Sequence, residues 1–185
     1  MPLFTTSFAA LELIRQPEQV DEPLQAFDAA DEYLLKHLAS LNLPSTAHIL
    51  LLNDSFGALA ASLAGHFQLT SSSDSYLGWQ ALQANLARNG LPSDGLNFVP
   101  ASQLANGPFD CVLIRVPKTL ALLEEQLIRL QGQIAPGTLV LAAAMLKHLP
   151  RAAGELLEHY IGPMQALLAV KKARLLCATA VTKQA

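Results

Sequence analysis

The sequence predicts a doubly wound α/β fold, in which a mostly parallel sheet carries helices on both faces and ends in an antiparallel hairpin. Three observations predict it. From residue 47 onward, short apolar segments alternate with longer amphipathic ones, as strands joined by crossover helices do. The predicted strands are apolar without a period of two, which indicates that both sheet faces are covered. The last two strand-like runs, within residues 164–181, are separated only by the basic link KKAR, which is too short for a crossover helix.

The first 45 residues form a lead-in that precedes this alternation. Residues 3–14 (LFTTSFAALELI) predict one or two short strands, and a polar, proline-bounded loop follows. Pro23 suits the first turn of a helix, because its missing N–H would be unpaired there. The helix is therefore predicted to begin at Pro23 and to run through LQAFDAADEYLLKHLAS, and Pro44 ends the connection that follows.

Residues 46–185 hold the alternating part of the chain. Asn89-Gly90 is a typical helix stop, and Pro117 is placed in the first turn of its helix. The lead-in and the alternating part are expected to form one compact unit. The predicted strands cover residues 47–52, 68–73, 96–100, 109–116 and 136–145, and the predicted helices cover residues 56–67, 75–90, 117–134 and 149–162.

Composition favours a packed globule over a disordered or membrane-spanning chain. Hydrophobic residues make up 51% of the 185 positions and charged residues 15%. No segment is long and apolar enough to span a membrane, and the start MPLFTTSFAA lacks the basic and apolar regions of a signal peptide. We therefore expect a soluble, cytoplasmic protein with no membrane partner. Cys111 and Cys177 are interpreted as buried thiols, and the five histidines lack ligand spacing, so no metal site is predicted.

The charge distribution is uneven. The net charge of −3 does not indicate a nucleic-acid-binding protein. Up to Glu32 there are seven acidic residues and one basic residue, a net of −6, and the remainder carries 11 basic and 8 acidic residues, a net of +3. This asymmetry leaves two interpretations open, a weakly basic face in the rest of the chain or evenly scattered solvated charges.

Ligands of open α/β sheets bind at the carboxyl ends of the strands, so the residues after each strand are the candidates. Asn53 and Gly57 lie in NDSFGAL after the first strand, and Asp74 follows the second. Arg115 and Lys118 lie in RVPK after the strongest strand. Each position also has a structural interpretation, as a helix N-cap such as Asp54 or Ser55, or as solvated charge. A further basic cluster lies in the hairpin link and consists of Lys171, Lys172 and Arg174.

Four stretches carry a resemblance to a known family. They read PLQAFDAADEYLL, LLNDSFGALAASLA, VLIRVPKTLALLEEQLIRL and VKKARLL. Together they resemble the N-terminal half of bacterial ribosomal RNA guanine-N2 methyltransferases of the RlmG kind, which are relatives of the RsmC kind. A parallel sheet that ends in a hairpin is also the layout of the class I methyltransferase fold. The resemblance therefore implies a Rossmann-like domain of the methyltransferase type.

The resemblance also implies a vestigial S-adenosylmethionine site. The family typically carries an acid and then a glycine-rich turn, DxGxGxG, which lets the backbone approach the cofactor. Here Asn53 takes the place of the acid, Ser55 and Leu59 replace the first and third glycines, and Gly57 remains. Asp74 takes the place of the acid that binds the ribose hydroxyls. The candidate cofactor-binding residues are therefore Asn53, Gly57 and Asp74.

The stretch after the strongest strand departs from the family's catalytic motif. In N-methyltransferases of this group, an NPPF or NPPY stretch orients the amine that accepts the methyl group. Here the chain reads RVPK, so the side-chain amide and the aromatic ring are both absent and no catalytic residue is assigned. The cations that replace them are suited to phosphate at the N-terminus of the next helix. The candidate RNA-binding residues are therefore Arg115, Lys118, Lys171, Lys172 and Arg174.

In this family two methyltransferase-like domains stand in tandem, and the C-terminal one carries the intact motifs. The chain matches only the degenerate N-terminal domain, so the catalytic domain is expected to lie outside this sequence. The implied function is a non-catalytic domain of a 23S rRNA (guanine-N2)-methyltransferase that supports rRNA binding and domain organisation. The implied partners are 23S rRNA and the C-terminal domain, and S-adenosylmethionine is the cofactor of that domain alone. The alternative is that this chain is itself a methyltransferase with a divergent cofactor loop, so its own enzymatic status stays open.

Overall fold

The computed structural model describes residues 3–5, 10–12, 28–54, 58–73, 80, 82–84, 86–87, 89–90, 96–100 and 108–181. Near the N-terminus, two short strands pair antiparallel, which confirms the short strands expected in the lead-in. They are β1 (Leu3–Thr5) and β2 (Ala10–Glu12).

The main sheet has seven strands among the described residues, and it confirms the predicted doubly wound fold. The strands are β3 (His48–Leu52), β4 (Gln68–Ser73), β5 (Leu96–Pro100), β6 (Phe109–Arg115), β7 (Ile134–Met145), β8 (Met164–Ala166) and β9 (Ala173–Thr179). Their order is β5-β4-β3-β6-β7-β9-β8. The first five in this order are parallel, whereas β9 is antiparallel to both β7 and β8, as expected for a C-terminal hairpin.

Helices cover both faces of this sheet. They are α1 (Ala29–Ser40), α2 (Ala58–Leu63), α3 (Leu120–Leu130) and α4 (Arg151–Tyr160), with a 3-10 turn at Leu146–His148. Residues 80, 82–84, 86 and 87 are also helical, within the predicted helix 75–90. The expected stop at Gly90 is confirmed, since Gly90 has a φ of +62° and donates to the Ala87 carbonyl. None of the helices in these described stretches is long and apolar enough to cross a membrane.

Two hydrophobic clusters explain why the strands are continuously apolar. Alternate residues of β3 point to opposite faces, with Ile49 and Leu51 in the cluster that includes α1 and α2, and Leu50 and Leu52 in the cluster that includes α3 and α4. A strand buried on both faces has no polar side, so the period of two is lost. Cys111 belongs to the first cluster, and burial raises the pKa of its thiol to about 12.

Two predicted helix starts are wrong, and side-chain caps explain the difference. Helix α1 begins at Ala29 and not at Pro23, because Asp28 is extended and forms a capping box with Asp31. Helix α3 begins after Thr119, whose hydroxyl accepts a hydrogen bond from the Leu122 N–H, so Pro117 lies outside the first turn. In α1 the capping box, and in α3 the Thr119 cap, outweighs the preference of proline for the first turn of a helix.

Candidate functional site

Four chain segments meet at the carboxyl edge of the sheet. Strands β3, β6 and β7 are parallel, so the residues that follow them lie at the same edge. Strand β9 runs the opposite way and begins there, since Ala173 pairs with Met145 at the end of β7. The edge therefore combines residues 53–54, 115–118, 146–148 and 170–172, which include most of the predicted site residues.

Asn53 is held by internal hydrogen bonds at the end of β3. Its side-chain Nδ2 donates to the Arg115 carbonyl oxygen at 2.9 Å and to Gln126 Oε1 at 3.0 Å, and Gln126 Nε2 donates back to Asn53 Oδ1 at 2.9 Å. Its φ of +65° is a left-handed value that asparagine tolerates better than most residues. Both the nitrogen and the oxygen of the Asn53 side-chain amide, and the carbonyl of Arg115, are thereby paired within the domain.

Sequence reasoning missed Gln126, although its position carried a signal. Gln126 lies three residues after the buried Leu123 and one before the buried Leu127, so helical spacing directs it towards the sheet. A half-buried polar side chain on the packed side of a helix needs a partner, and Asn53 supplies it.

Asp54 is buried and caps helix α2. Its carboxylate accepts hydrogen bonds from the Leu59 N–H at 3.0 Å and from the Ala60 N–H at 2.9 Å. These bonds confirm the helix-capping interpretation of NDSFGAL at Asp54. Burial raises the pKa of Asp54 to about 7, with a further rise from the nearby charge of Asp31, and the two N–H groups oppose this shift.

Arg115 is paired with two acidic residues of α1. Its guanidinium lies 2.8 Å from Asp28 Oδ1, 2.9 Å from Asp28 Oδ2 and 2.7 Å from Asp31 Oδ1. Burial lowers the pKa of Arg115, but the carboxylates of Asp31 and Asp28 outweigh it and hold the pKa above its ordinary value. Burial raises the pKa of Asp31, and the opposite effect of the Arg115 charge, which lowers this pKa, is smaller. The spacing Asp28-x-x-Asp31, typical of a helix N-terminus, was the only sequence signal for this pairing.

Gly57 and Asp74, the other two predicted cofactor-binding residues, lie outside the described residues. Lys118 is exposed between β6 and α3. Arg174 is half-buried in β9, and its Nε is buried without a hydrogen-bond partner in the described part of the chain. The side chain of Lys118 is therefore exposed to solvent at this edge, whereas Arg115 and Arg174 are each half-buried.

Lys171 and Lys172 form the tip of a tight hairpin turn. Val170 and Ala173 exchange two backbone hydrogen bonds of 2.8 and 2.9 Å around them, and the φ angles of Lys171 and Lys172 are +51° and +66°. Positive φ at both central residues defines a type I′ turn, which favours Asn-Gly. Here both left-handed positions carry a lysine, and both side chains are exposed.

The surroundings of this turn hold it in place and add cations. The Leu146 N–H donates to the Lys172 carbonyl at 2.8 Å, which brings the exposed Lys147 and His148 beside the turn. The Tyr33 hydroxyl donates to the Leu168 carbonyl at 2.7 Å, and Lys171 Nζ lies 3.4 Å from Glu32. We call the exposed cations Lys147, Lys171 and Lys172 the hairpin cluster. Exposed cations on a fixed backbone are suited to bind phosphate.

No group of three or more potential metal ligands occurs within the stretches that the structure describes. The side-chain amide of Asn53, the carboxylate of Asp54 and both terminal nitrogens of Arg115 are engaged in contacts that stabilise the fold. The buried Arg115 Nε has no hydrogen-bond partner among the described residues. The exposed lysines at the rim of this edge are chemically suited to bind an anion.

Comparison with known proteins agrees with this picture of the fold. The profile of the RLMG N-terminal domain family matches residues 1–182. The chain is 70% identical over 185 residues to ribosomal RNA large subunit methyltransferase G of Ectopseudomonas mendocina (strain ymp), covering 100% of this chain and 50% of that protein. It is 71% identical over 184 residues to the protein of the same name from Pseudomonas fluorescens Pf-5, covering 100% and 49%. The chain thus spans about half the length of these relatives.

Solved structures of class I methyltransferases share the fold. The T. thermophilus 16S rRNA N2 G1207 methyltransferase RsmC, in complex with AdoMet and guanosine, superposes with a TM-score of 0.75 at 19% identity, over 96% of this chain and 49% of that one. The structure named "Putative methyltransferase yhhF" from Escherichia coli superposes with a TM-score of 0.65 at 21% identity, over 95% of this chain and 93% of that one. At these identities the likeness concerns the fold alone.

Proposed function

Because the chain belongs to the RLMG N-terminal domain family, we propose that it is the non-catalytic half of an S-adenosylmethionine-dependent rRNA methyltransferase. In this proposal it supports binding of large-subunit rRNA and the organisation of the two halves. The cofactor and the guanine-N2 chemistry belong to the other half of the full-length protein. The names of the relatives suggest the rRNA substrate. The residues of the carboxyl edge suggest that this half supports binding and that the other half carries out the chemistry.

The observation that carries the proposal is the pairing of Asn53 and Asp54, at the carboxyl end of β3, with groups of this domain. At the position where the resemblance implies a cofactor-binding acid, Asn53 is paired with Gln126 and with the backbone of Arg115. Its neighbour Asp54 is buried and caps α2. A cofactor bound there would have to break hydrogen bonds that the fold uses, and would leave buried polar groups unpaired. These residues do not fit S-adenosylmethionine.

The RNA-binding part of the proposal rests on exposure. Lys118 and the hairpin cluster (Lys147, Lys171 and Lys172) are exposed at the rim of the carboxyl edge. The pair of Lys171 with Glu32 is itself exposed, so a phosphate can compete with Glu32 for this lysine. Arg115 is bound to two carboxylates, so in this proposal it positions α1 and does not contact RNA. Arg174 contributes through its charge near the turn more than through direct hydrogen bonds.

Calorimetric titration of the full-length protein with S-adenosylmethionine tests this division. We expect one molecule bound per chain, and the same stoichiometry after Asp74→Asn. Two molecules per chain would overturn the proposal and support the alternative, in which this half is itself a methyltransferase with a divergent loop. Loss of methyl transfer to rRNA by Asp74→Asn, with the protein still folded, would also contradict it.

A further inference from the structure

The end of β9 is fixed to the rest of the domain at the amino edge of the sheet. Beyond Thr179, the Ala180 N–H donates to the Thr138 carbonyl at 2.9 Å, and the Gly137 N–H donates to the Ala180 carbonyl at 2.8 Å. The Val181 N–H then donates to the Ile161 carbonyl at 3.3 Å. The polypeptide therefore reaches Val181 along a defined path, at the edge opposite the hairpin turn.

A close backbone approach secures this path. Gly162 lies so near β9 that a Cβ atom on it would be 2.0 Å from the Thr179 carbonyl oxygen and 3.3 Å from Val181 Cγ1. Only glycine permits this contact. The turn between α4 and β8 and the last residues of β9 therefore form one closely packed unit.

Val181 forms part of the wall of an open groove with a volume of about 290 Å³, which we call the exit groove. Its apolar wall includes Ile134, Pro136 and Ile161, and Val181 itself is 52% exposed. Two polar groups near the groove are already paired, because Gln131 Nε2 donates to the Tyr160 carbonyl at 2.9 Å and the Tyr160 hydroxyl donates to Glu124. Glu158 and His159 of α4 also line the groove. The exit groove therefore offers an apolar wall that is bordered by polar side chains of α4.

A second groove, of about 360 Å³ between α3 and α4, continues this surface. The two grooves share His159, and the second is lined by the apolar residues Leu120, Ala121, Ala152 and Leu156 and by Glu124 and Glu155. Apolar surface bordered by polar side chains and extending over two adjoining grooves is typical of a protein contact site.

The length of the relatives bears on what this surface contacts. They are about twice as long as this chain, and they match it over its whole length, so in them about as many residues again are joined to this domain. The matching family is described as an N-terminal domain, which is consistent with a second half that follows this one. A second half tethered close to Val181 has a high effective concentration at the exit groove, so a modest apolar contact is sufficient to dock it. We propose that the exit groove is the docking surface for the second half of the full-length protein. This inference rests on the domain-organisation part of the proposed function and is independent of RNA binding.

Site-specific thiol labelling of the full-length protein tests the proposal. Glu158→Cys places a thiol on the groove wall, and Arg151→Cys places an exposed thiol at the other end of the same helix as the matched control. Maleimide labelling of each cysteine is followed by peptide mass spectrometry, without RNA, and normalised to the rate in urea. We expect Glu158→Cys to react at least about tenfold more slowly than the control, as a docked contact of a little over 1 kcal/mol would produce.

A second variant separates loss of docking from loss of folding. Val181→Glu adds a charge at an exposed wall position, so we expect unchanged circular dichroism and faster labelling of Glu158→Cys. Equal labelling of the two cysteines in the unsubstituted background would overturn the proposal. Protection that grows with protein concentration would assign the exit groove to a second copy and would overturn it as well. Neither outcome bears on the number of S-adenosylmethionine molecules bound, so this test and that of the proposed function fail separately.

Discussion

Arg115 Nη1 lies 2.7 Å from Asp31 Oδ1, which ties the carboxyl end of β6 to the first turn of α1. The same nitrogen lies 2.8 Å from Asp28 Oδ1, so the guanidinium joins the strand to both acids of the capping box. A strand-end position that is associated with catalysis in the resembled enzymes is here part of the packing between helix and sheet.

Arg115→Ala is expected to destabilise the domain strongly. The substitution leaves the buried Asp31 without its cation, and loss of one partner of a buried pair costs about 3–5 kcal/mol. Because Asp28 is partly exposed, we expect about 2–3 kcal/mol here. Urea denaturation measures the free energy of unfolding. Glu125→Ala is the control, since the exposed pair of Glu125 with Arg129 is worth roughly 0.5 kcal/mol or less. Equal losses for the two variants would contradict the assigned role of Arg115.

Replacing Lys171-Lys172 by Asn-Gly is expected to stabilise the fold and weaken RNA binding together. Each lysine now adopts a left-handed conformation, which costs on the order of 1 kcal/mol for a residue other than Gly or Asn. The variant should therefore unfold at higher urea concentration. In the full-length protein, the slope of log K against log[salt] for an rRNA fragment should fall by up to about 2, because two phosphate contacts are lost.

Lys36→Gln is the matched control for this pair, because Lys36 is an exposed cation that lies on α1 and is not part of the turn. We expect it to leave the salt slope unchanged. If Asn-Gly leaves the slope as steep as before, Lys171 and Lys172 do not contact RNA. If the Asn-Gly variant is no more stable than the original domain, the assignment of a left-handed conformation to Lys171 and Lys172 is wrong.

Gly162→Ala is expected to be far more damaging than Gly154→Ala. A Cβ at residue 162 would meet a backbone oxygen at 2.0 Å, which cannot move without disturbing β9. At Gly154 the nearest atom is the terminal methyl of Met164 at 2.7 Å, which is flexible and can turn aside. We expect a loss of about 2–4 kcal/mol for the first variant and less than about 1 kcal/mol for the second, measured by urea denaturation. The reverse order would refute the close packing of the α4–β8 turn against β9.

The stability of the domain is expected to fall as the pH rises from about 4 to about 7, through Asp54. The folded-state pKa of Asp54 is about 7, above its ordinary value of 3.8, so the folded state keeps a proton that the unfolded state has lost. This contribution is complete below about pH 4 and disappears above about pH 7, with a slope of up to about 1.4 kcal/mol per pH unit. Unfolding midpoints across this range measure it. Asp54→Asn removes the titration, so its slope should be shallower, and parallel curves would show that Asp54 is not responsible.

The alternation of strands and helices was predictable because it depends on local composition. The β3 segment HILLL is buried on both faces, and a continuous apolar run of that length is sufficient to indicate a central strand. The hairpin was predictable from the short KKAR link. The left-handed turn inside that link was not, since KKAR contains neither glycine nor asparagine.

The candidate site was less predictable because its contacts join distant parts of the chain. Arg115 and Asp28 are 87 residues apart, and Asn53 and Gln126 are 73 apart, so no local pattern links them. The sequence marked Arg115 as a cation at a strand end, which is true both of a phosphate ligand and of a structural ion pair. Only the position of α1 over β6 distinguishes the two, and that position depends on the packing of Leu34, Leu35 and Leu38.

Strand β9 separates two surfaces with different proposed partners. It begins beside the lysine turn and ends beside Val181, so its direction places the two at opposite ends of the strand next to the sheet edge. From Lys172 to Val181 an extended chain covers about 30 Å. On the proposed assignments, the length of β9 sets the distance between the RNA contact and the catalytic half. Inserting one residue would change this distance and would also turn the following side chains to the opposite face of the sheet. The length of β9 is therefore constrained both by folding and by the separation of the two surfaces.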